Sequence, residues 1–250
     1  MKQSKNRKNG VPIIDYEEEF NIFSKNIDQA AYSFYYGIEI EIRIGDEYLI
    51  DQSSPDGSNL FCAMQDSARF WNYCKASMIF CSIMSICRIL DKDSKSHTIK
   101  RLINAAQNSG LFTESSLLER VTKRWDTDKN RINDYMQRAY ILSGDDFDKI
   151  KKFANDTRTE SNPIKNLRNK ILAHQDTLDE NTKKEIFEKC EYKLIEKIIE
   201  RLLTIKHIFE ESFDNGKHPD FDYKNSDIKE QVNQDVQSLL KKLSRGHMQN

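Results

Sequence analysis

A chain of 250 residues is long enough to bury a sizeable core, and 32% charged residues with only eight Gly and four Pro favour helices over strands. The formal net charge of -1 excludes a global pull on nucleic acid, so an RNA site has to be a local basic cleft. The sequence holds no Gly-rich phosphate loop, GxSxG, HExxH or paired-carboxylate signature, which removes the commonest nucleotide, serine and metal chemistries.

Residues 1–12 are polar and basic without an apolar h-region, so they read as a mobile arm and not as a secretion signal. From Asp15, Phe20, Phe23, Ile27, Ala31, Phe34 and Ile38 recur every three or four positions and predict an amphipathic helix. The alternating run Ile38 to Ile44 fits a strand by its β-branching, yet Ile38 and Ile42 also continue the helical stripe. We read it as helix, ending near Gly45. Asp51 to Asn59 is a loop by its turn residues. A long helix is then predicted from about Leu60 to Leu90, apolar on more than one side in its second half, which marks it as the central helix. Its most apolar run, Ala76 to Cys87, is threaded with Ser and too short to span a bilayer. Cys62, Cys74, Cys81, Cys87 and Cys190 have no zinc-ligand spacing and read as reduced core residues of a cytoplasmic protein.

A helix over Thr98 to Gln107 turns Ile99, Leu102, Ile103 and Ala106 inward. After a break at Asn108 to Ser116, with Ser115 or Ser116 as cap, comes a helix carrying Leu118, Val121, Trp125, Ile132, Tyr135, Met136 and Ala139. Arg120, Lys123, Arg124, Lys129, Arg131 and Arg138 make this the most basic segment: an RNA-guiding rim, or a solvated face. Ser143 opens a helix with Phe147, Ile150, Phe153 and Ala154, which gives way to the polar run Asn155 to Ser161.

The stretch SNPIKNLRNKILAHQD, residues 161–176, carries the chemistry. Ser161 or Asn162 can cap a short helix, and Pro163 suits its first position. Ile164, Leu167, Ile171 and Leu172 face the core, leaving Arg168, Asn169, Lys170 and His174 on the other edges. An obligate cation with a fork of donors suits a phosphate, and a ring with a reference pKa near ~6.5 can move a proton at neutral pH. In an ideal helix residues six apart are separated by roughly 9 Å and about 120°, so convergence of Arg168 and His174 needs a bend or a second subunit. The same spacing recurs at Arg201 and His207, inside a long helix with core-like neighbours; these two read as surface residues.

L-R-N-K-I-L-A-H resembles the signature of the HEPN superfamily (higher eukaryotes and prokaryotes nucleotide-binding): an Arg, a polar residue, then a His after four to six positions. The abortive-infection U-type branch is the most similar. The run S-M-I-F-C-S-I-M-S-I-C-R-I-L-D, ending in Arg88 and Asp91, is similar to that branch's long helix. The resemblance implies an all-α, HEPN-like helical bundle acting as a homodimeric, metal-independent ribonuclease of defence or toxin systems, with Arg168, Asn169 and His174 catalytic and no cofactor. It also allows an antitoxin or regulatory partner. Asp91, Arg88 and Lys170 are the supporting residues. Some members carry a modifiable Tyr two residues past the His; Asp176 stands here, so that regulation is not expected.

A last long helix is predicted from about Glu180 to Phe213, with Ile186, Phe187, Leu194, Ile198, Leu202, Ile205 and Phe209 on one face and Gly216 and Pro219 as stops. Ser226 then caps a terminal amphipathic helix with Ile228, Val232, Val236, Leu239, Leu240 and Leu243, which docks on its own domain or on another subunit. The organisation expected is an N-terminal arm and helix (1–59), a HEPN-like domain (60–213), and a linker with a C-terminal helix (214–250). The function expected is RNA cleavage by 2′-OH attack; the alternative is a non-catalytic helical module binding a partner protein, RNA or nucleotide.

Overall fold

Thirty residues, Tyr16–Gly45, form the first helix, α1, so the ambiguous Ile38 to Ile44 run is helical. Phe23, Ile27, Ala31 and Phe34 are buried along it, and near its end Ile40 is buried while Ile42 is 41% exposed, so the inward stripe passes through Ile40. This computed structural model describes residues 7–8, 11–12, 15–45, 65, 67–92, 96–125, 128–173 and 179–246. The expected loop 51–59 and the Leu60 to Met64 start of the long helix lie outside the described residues. Within the expected arm, Arg7–Lys8 and Val11–Pro12 pair as a two-residue antiparallel ladder.

Nine more α-helices follow among the described residues: α2 (Ala68–Ile89), α3 (Ile99–Asn108), α4 (Glu114–Trp125), α5 (Lys129–Arg138), α6 (Gly144–Glu160), α7 (Asn162–Leu167), α8 (Glu180–Glu188), α9 (Tyr192–Asn215) and α10 (Asp227–Gly246). The fold is an all-α bundle whose longest pairing is α1 with α2. Gly37 permits that pairing, because a Cβ there would sit 2.8 Å from Ile79 Cδ1. The second half of α2 is buried as expected, through Ile83, Ile86, Cys87 and Ile89. Phe70 and Tyr73 in its first half, and Phe80 just past its middle, are 58%, 74% and 41% exposed.

One core runs from Tyr16 to Leu240 and takes residues from α1, α2, α3, α6, α7, α9 and α10. Its densest part is aromatic, with the Phe112 ring 5.0 Å from Tyr16, 5.9 Å from Phe147 and 6.0 Å from Phe209 in edge-on contacts. The terminal helix docks within the chain, on α1. Ile228, Val232, Val236 and Leu240 are buried, Leu239 faces out, and Tyr32 and Tyr36 donate to Gln231 (3.0 Å) and Asp235 (2.7 Å). Asn225, not Ser226, caps it, accepting from the Ile228 N–H.

Two helices expected as continuous are each broken. Asp128 caps α5 by accepting from Arg131 N, which splits the basic helix after Trp125; Leu117, not Leu118, is buried, and Thr113 does the capping expected of Ser115 or Ser116. Between α8 and α9 the extended Glu191 follows the buried Cys190, with no Gly or Pro to announce the break. Gly216 ends α9 in the left-handed region (φ 52°) and packs where a Cβ would meet Leu117 Cδ2 at 2.7 Å.

Helix α6 starts on a capping box and continues through the expected polar break to Glu160. Asp146 accepts from Tyr140 OH (2.6 Å), Ser143 N (2.9 Å) and Ser143 Oγ (2.7 Å). Burial alone would raise its pKa, but these bonds outweigh it and hold the carboxyl below its ordinary value. A depressed pKa stabilises the fold at neutral pH, and the stabilisation is lost as pH falls through the lowered value. Asp146→Asn therefore lowers the unfolding midpoint at pH 7, and the gap from wild type closes on acidification. Ser143→Ala costs about 1 kcal/mol in the same thermal melts.

Candidate functional site

Residues 161–173 wrap the end of α6 onto α2. Ser161 is fully buried, and its hydroxyl donates to Arg158 O (2.8 Å) instead of capping α7; Pro163 sits in the first turn. Ile164 and Leu167 are buried against the core, which fixes the face that α7 presents. From Arg168 to Ala173 the backbone changes to a π-helix. Such i→i+5 turns are rare and are found mostly as single turns at functional sites.

The π-helical turn packs on α2 and sets the Arg168 guanidinium within hydrogen-bonding reach of the Cys87 sulfur. Burial pushes the Cys87 thiol up to about 11 despite Arg168 and Lys165 beside it, so Cys87 is neutral at pH 7 and supplies no counter-charge to the guanidinium. Among the described residues, Arg168 Nε is buried and has no hydrogen-bond partner. Lys165, one turn earlier, donates to Arg158 O (3.2 Å); burial, then the nearby Arg158 charge, lowers its pKa. Asn169 and Lys170 are exposed on the turn. His174 lies outside the described residues.

The supporting residues separate. Arg88 turns towards α1 and donates to Asn26 Oδ1 (3.2 Å), away from the signature. Asp91 is half-buried on the signature side; its carboxylate accepts from Lys92 N (2.6 Å), and no ion pair joins it to Arg168 among the described residues. Arg201, expected at the surface, is instead a tie between α9 and α6: it donates to Thr157 Oγ1 (2.8 Å) and Phe153 O (3.3 Å) and lies 4.1 Å over the Phe153 ring. His207 stacks on Tyr223 at 3.6 Å and is half-buried.

In the basic α4 and α5 segment, Arg120 is structural, donating to Phe213 O and Leu111 O, while Lys123 and Arg124 pair with Glu119 and Asp214. Arg131, over the Trp125 ring at 4.5 Å, and Arg138 face a cleft of about 1030 Å³. Sequence reading missed Cys87, Lys165 and Arg158. Lys165 alone carried a local signal, three residues before Arg168 on the same helix.

The helical bundle and its Arg-polar turn seated on the long helix define a HEPN-type module. A family model described as HEPN_AbiU2, AbiU2, matches residues 46–233, well over half of the chain. The chain belongs to this AbiU2 branch of the HEPN proteins. No curated protein and no solved structure matches it. Among the described residues, no helix is long and apolar enough to cross a membrane.

Proposed function

We propose that this chain is a metal-independent endoribonuclease, working as a homodimer in abortive infection or a toxin system, under an antitoxin or other regulatory partner. The observation that carries the reading is the Arg168 guanidinium: half-buried on a π-helical turn, beside a neutral thiol, with Nε unpaired among the described residues. A buried donor without a partner costs stability, which a phosphate oxygen would recover.

In the proposed reaction the ribose 2′-oxygen attacks its own phosphate, the 2′-O–P bond forms and the P–O5′ bond breaks. His174 takes the 2′-OH proton as base or delivers one to the leaving 5′-oxygen as acid, and Arg168 stabilises the charge on the pentacoordinate phosphorus. Exposed Asn169 and Lys170 are the contacts to neighbouring strand atoms. The test is incubation of purified protein with single-stranded RNA in EDTA. Cleavage supports the reading; intact RNA leaves a binding module without catalysis.

The second subunit is argued from α2. Phe70, Tyr73 and Phe80 lie on one side of that helix, and Cys87, two turns beyond Phe80, continues the same line into Arg168. A twofold pairing across this aromatic stripe would bring two signatures together, one His acting as base and the other as acid. Tyr73→Glu is expected to weaken self-association at least ~10-fold, read as a shift to monomer mass in light scattering and a parallel loss of cleavage.

A further inference from the structure

A cavity of about 320 Å³ opens between α3 and α6, reaching Arg158 in the last turn of α6 before the signature stretch. Asp91, Lys100, Asn104, Lys151, Asn155 and Arg158 line it over an apolar floor. Three cations face one carboxylate, and among the described residues Lys151 alone of the three has an ion pair outside the cavity, with Asp148 at 3.2 Å. Among the described residues no hydrogen bond or ion pair occupies the side chains of Arg158 or Lys100.

The cavity is wired to the signature by its backbone. Arg158 O accepts from both Ser161 Oγ (2.8 Å) and Lys165 Nζ (3.2 Å), so the residue that ends in the cavity also anchors α7. Lys165 in turn neighbours Cys87, which touches Arg168. Among the described residues, cations thus run from Lys100 and Arg158 through Lys165 to Arg168 with Asp91 as the carboxylate near them. Like charges gathered this way repel, and the arrangement is relieved by a polyanion lying along them.

We infer that the α3–α6 cavity holds a phosphate of the RNA strand next to the one presented to Arg168, a subsite that positions the strand for cleavage. The inference rests on the ribonuclease reading. The Arg158 fork and Lys100 take the phosphate oxygens; Asn104, Asn155 and the Asp91 carboxylate face the adjoining ribose, whose hydroxyls can donate to a carboxylate. A volume of about 320 Å³ suits one nucleotide and not a folded RNA element.

Fluorescence anisotropy with a single-stranded 2′-O-methyl RNA oligonucleotide, which cannot be cut, tests it on the full chain. Arg158→Gln and Lys100→Gln should each weaken binding about 10-fold and make the salt dependence shallower by roughly 0.7, the value of one phosphate contact on a single strand. Arg158→Lys should recover part of the affinity. Lys193→Gln, an exposed lysine on α9, removes the same charge elsewhere and should change neither quantity. The substitutions keep the Arg158 carbonyl and its two bonds, so circular dichroism should match wild type. Affinity and salt slope equal to those of Lys193→Gln overturn the subsite, as does absence of binding by wild type at low salt. Wild-type cleavage with binding indifferent to Arg158 removes the subsite alone; Arg158-dependent binding without any cleavage supports the subsite and removes the nuclease reading.

Discussion

Alanine at position 174 is expected to reduce RNA cleavage in EDTA by about 10²- to 10⁴-fold, the usual contribution of a positioned acid or base. His174 is the one group in the signature whose reference pKa allows proton transfer near neutrality. In a twofold arrangement the substitution removes both acid and base from each shared cleft, which places the loss towards the upper end of that range. Helical content, unfolding midpoint and dimer mass should match wild type. A variant that cuts as fast as wild type would remove His174 from the mechanism.

Arg168→Lys is expected to lower kcat about 10²-fold with little change in KM for long RNA. Lysine preserves the charge, so long-range attraction of the strand stays. What it loses is the planar fork, which lies against Cys87 on the π-helical turn and in the proposed reaction would meet two phosphate oxygens. With flanking phosphates held at the proposed cavity subsite and by the exposed turn residues, the expected loss falls on charge stabilisation at phosphorus. Cys87→Ala discriminates the two roles of Arg168. If the guanidinium serves only to pack on the thiol, Cys87→Ala and Arg168→Lys have equal effects; if it serves the phosphate, Cys87→Ala keeps most of the activity.

Helical periodicity carried far in this chain. The three-to-four spacing from Phe20 to Ile38 located α1, the inward residues Ile99 to Ala106 located α3, which Thr98 caps instead of joining, and Gly216 stopped α9. What the spacing did not mark were interruptions without Gly or Pro: the Asp128 cap after Trp125, the extended Glu191, and the π-helical turn, which arises inside a run of ordinary helix formers. Arg201 was misread because its anchors, Thr157 and the Phe153 ring, sit more than forty residues away in sequence. The site divides the same way. The Arg168 signature was readable in one stretch, whereas Cys87, Lys165 and Arg158 acquire their meaning only when α2, α6 and α7 converge. Arg88, adjacent to Cys87 in sequence, points to α1 because neighbouring residues on a helix face different sides.

The two exposed features, the aromatic stripe on α2 and the cation run beside α7, lead to the same end of the long helix. A nuclease that shares its cleft between subunits needs both: apolar area for the partner and positive charge for the strand. Mass spectrometry of the ends left when the protein cuts a defined single-stranded RNA in EDTA is the most direct measurement of the chemistry. Attack by the 2′-oxygen leaves a 2′,3′-cyclic phosphate, or the 3′-phosphate that it hydrolyses to, opposite a 5′-hydroxyl. Fragments ending in 3′-hydroxyl and 5′-phosphate would mean that water, not the ribose, attacks phosphorus, and would contradict the roles given to Arg168 and His174.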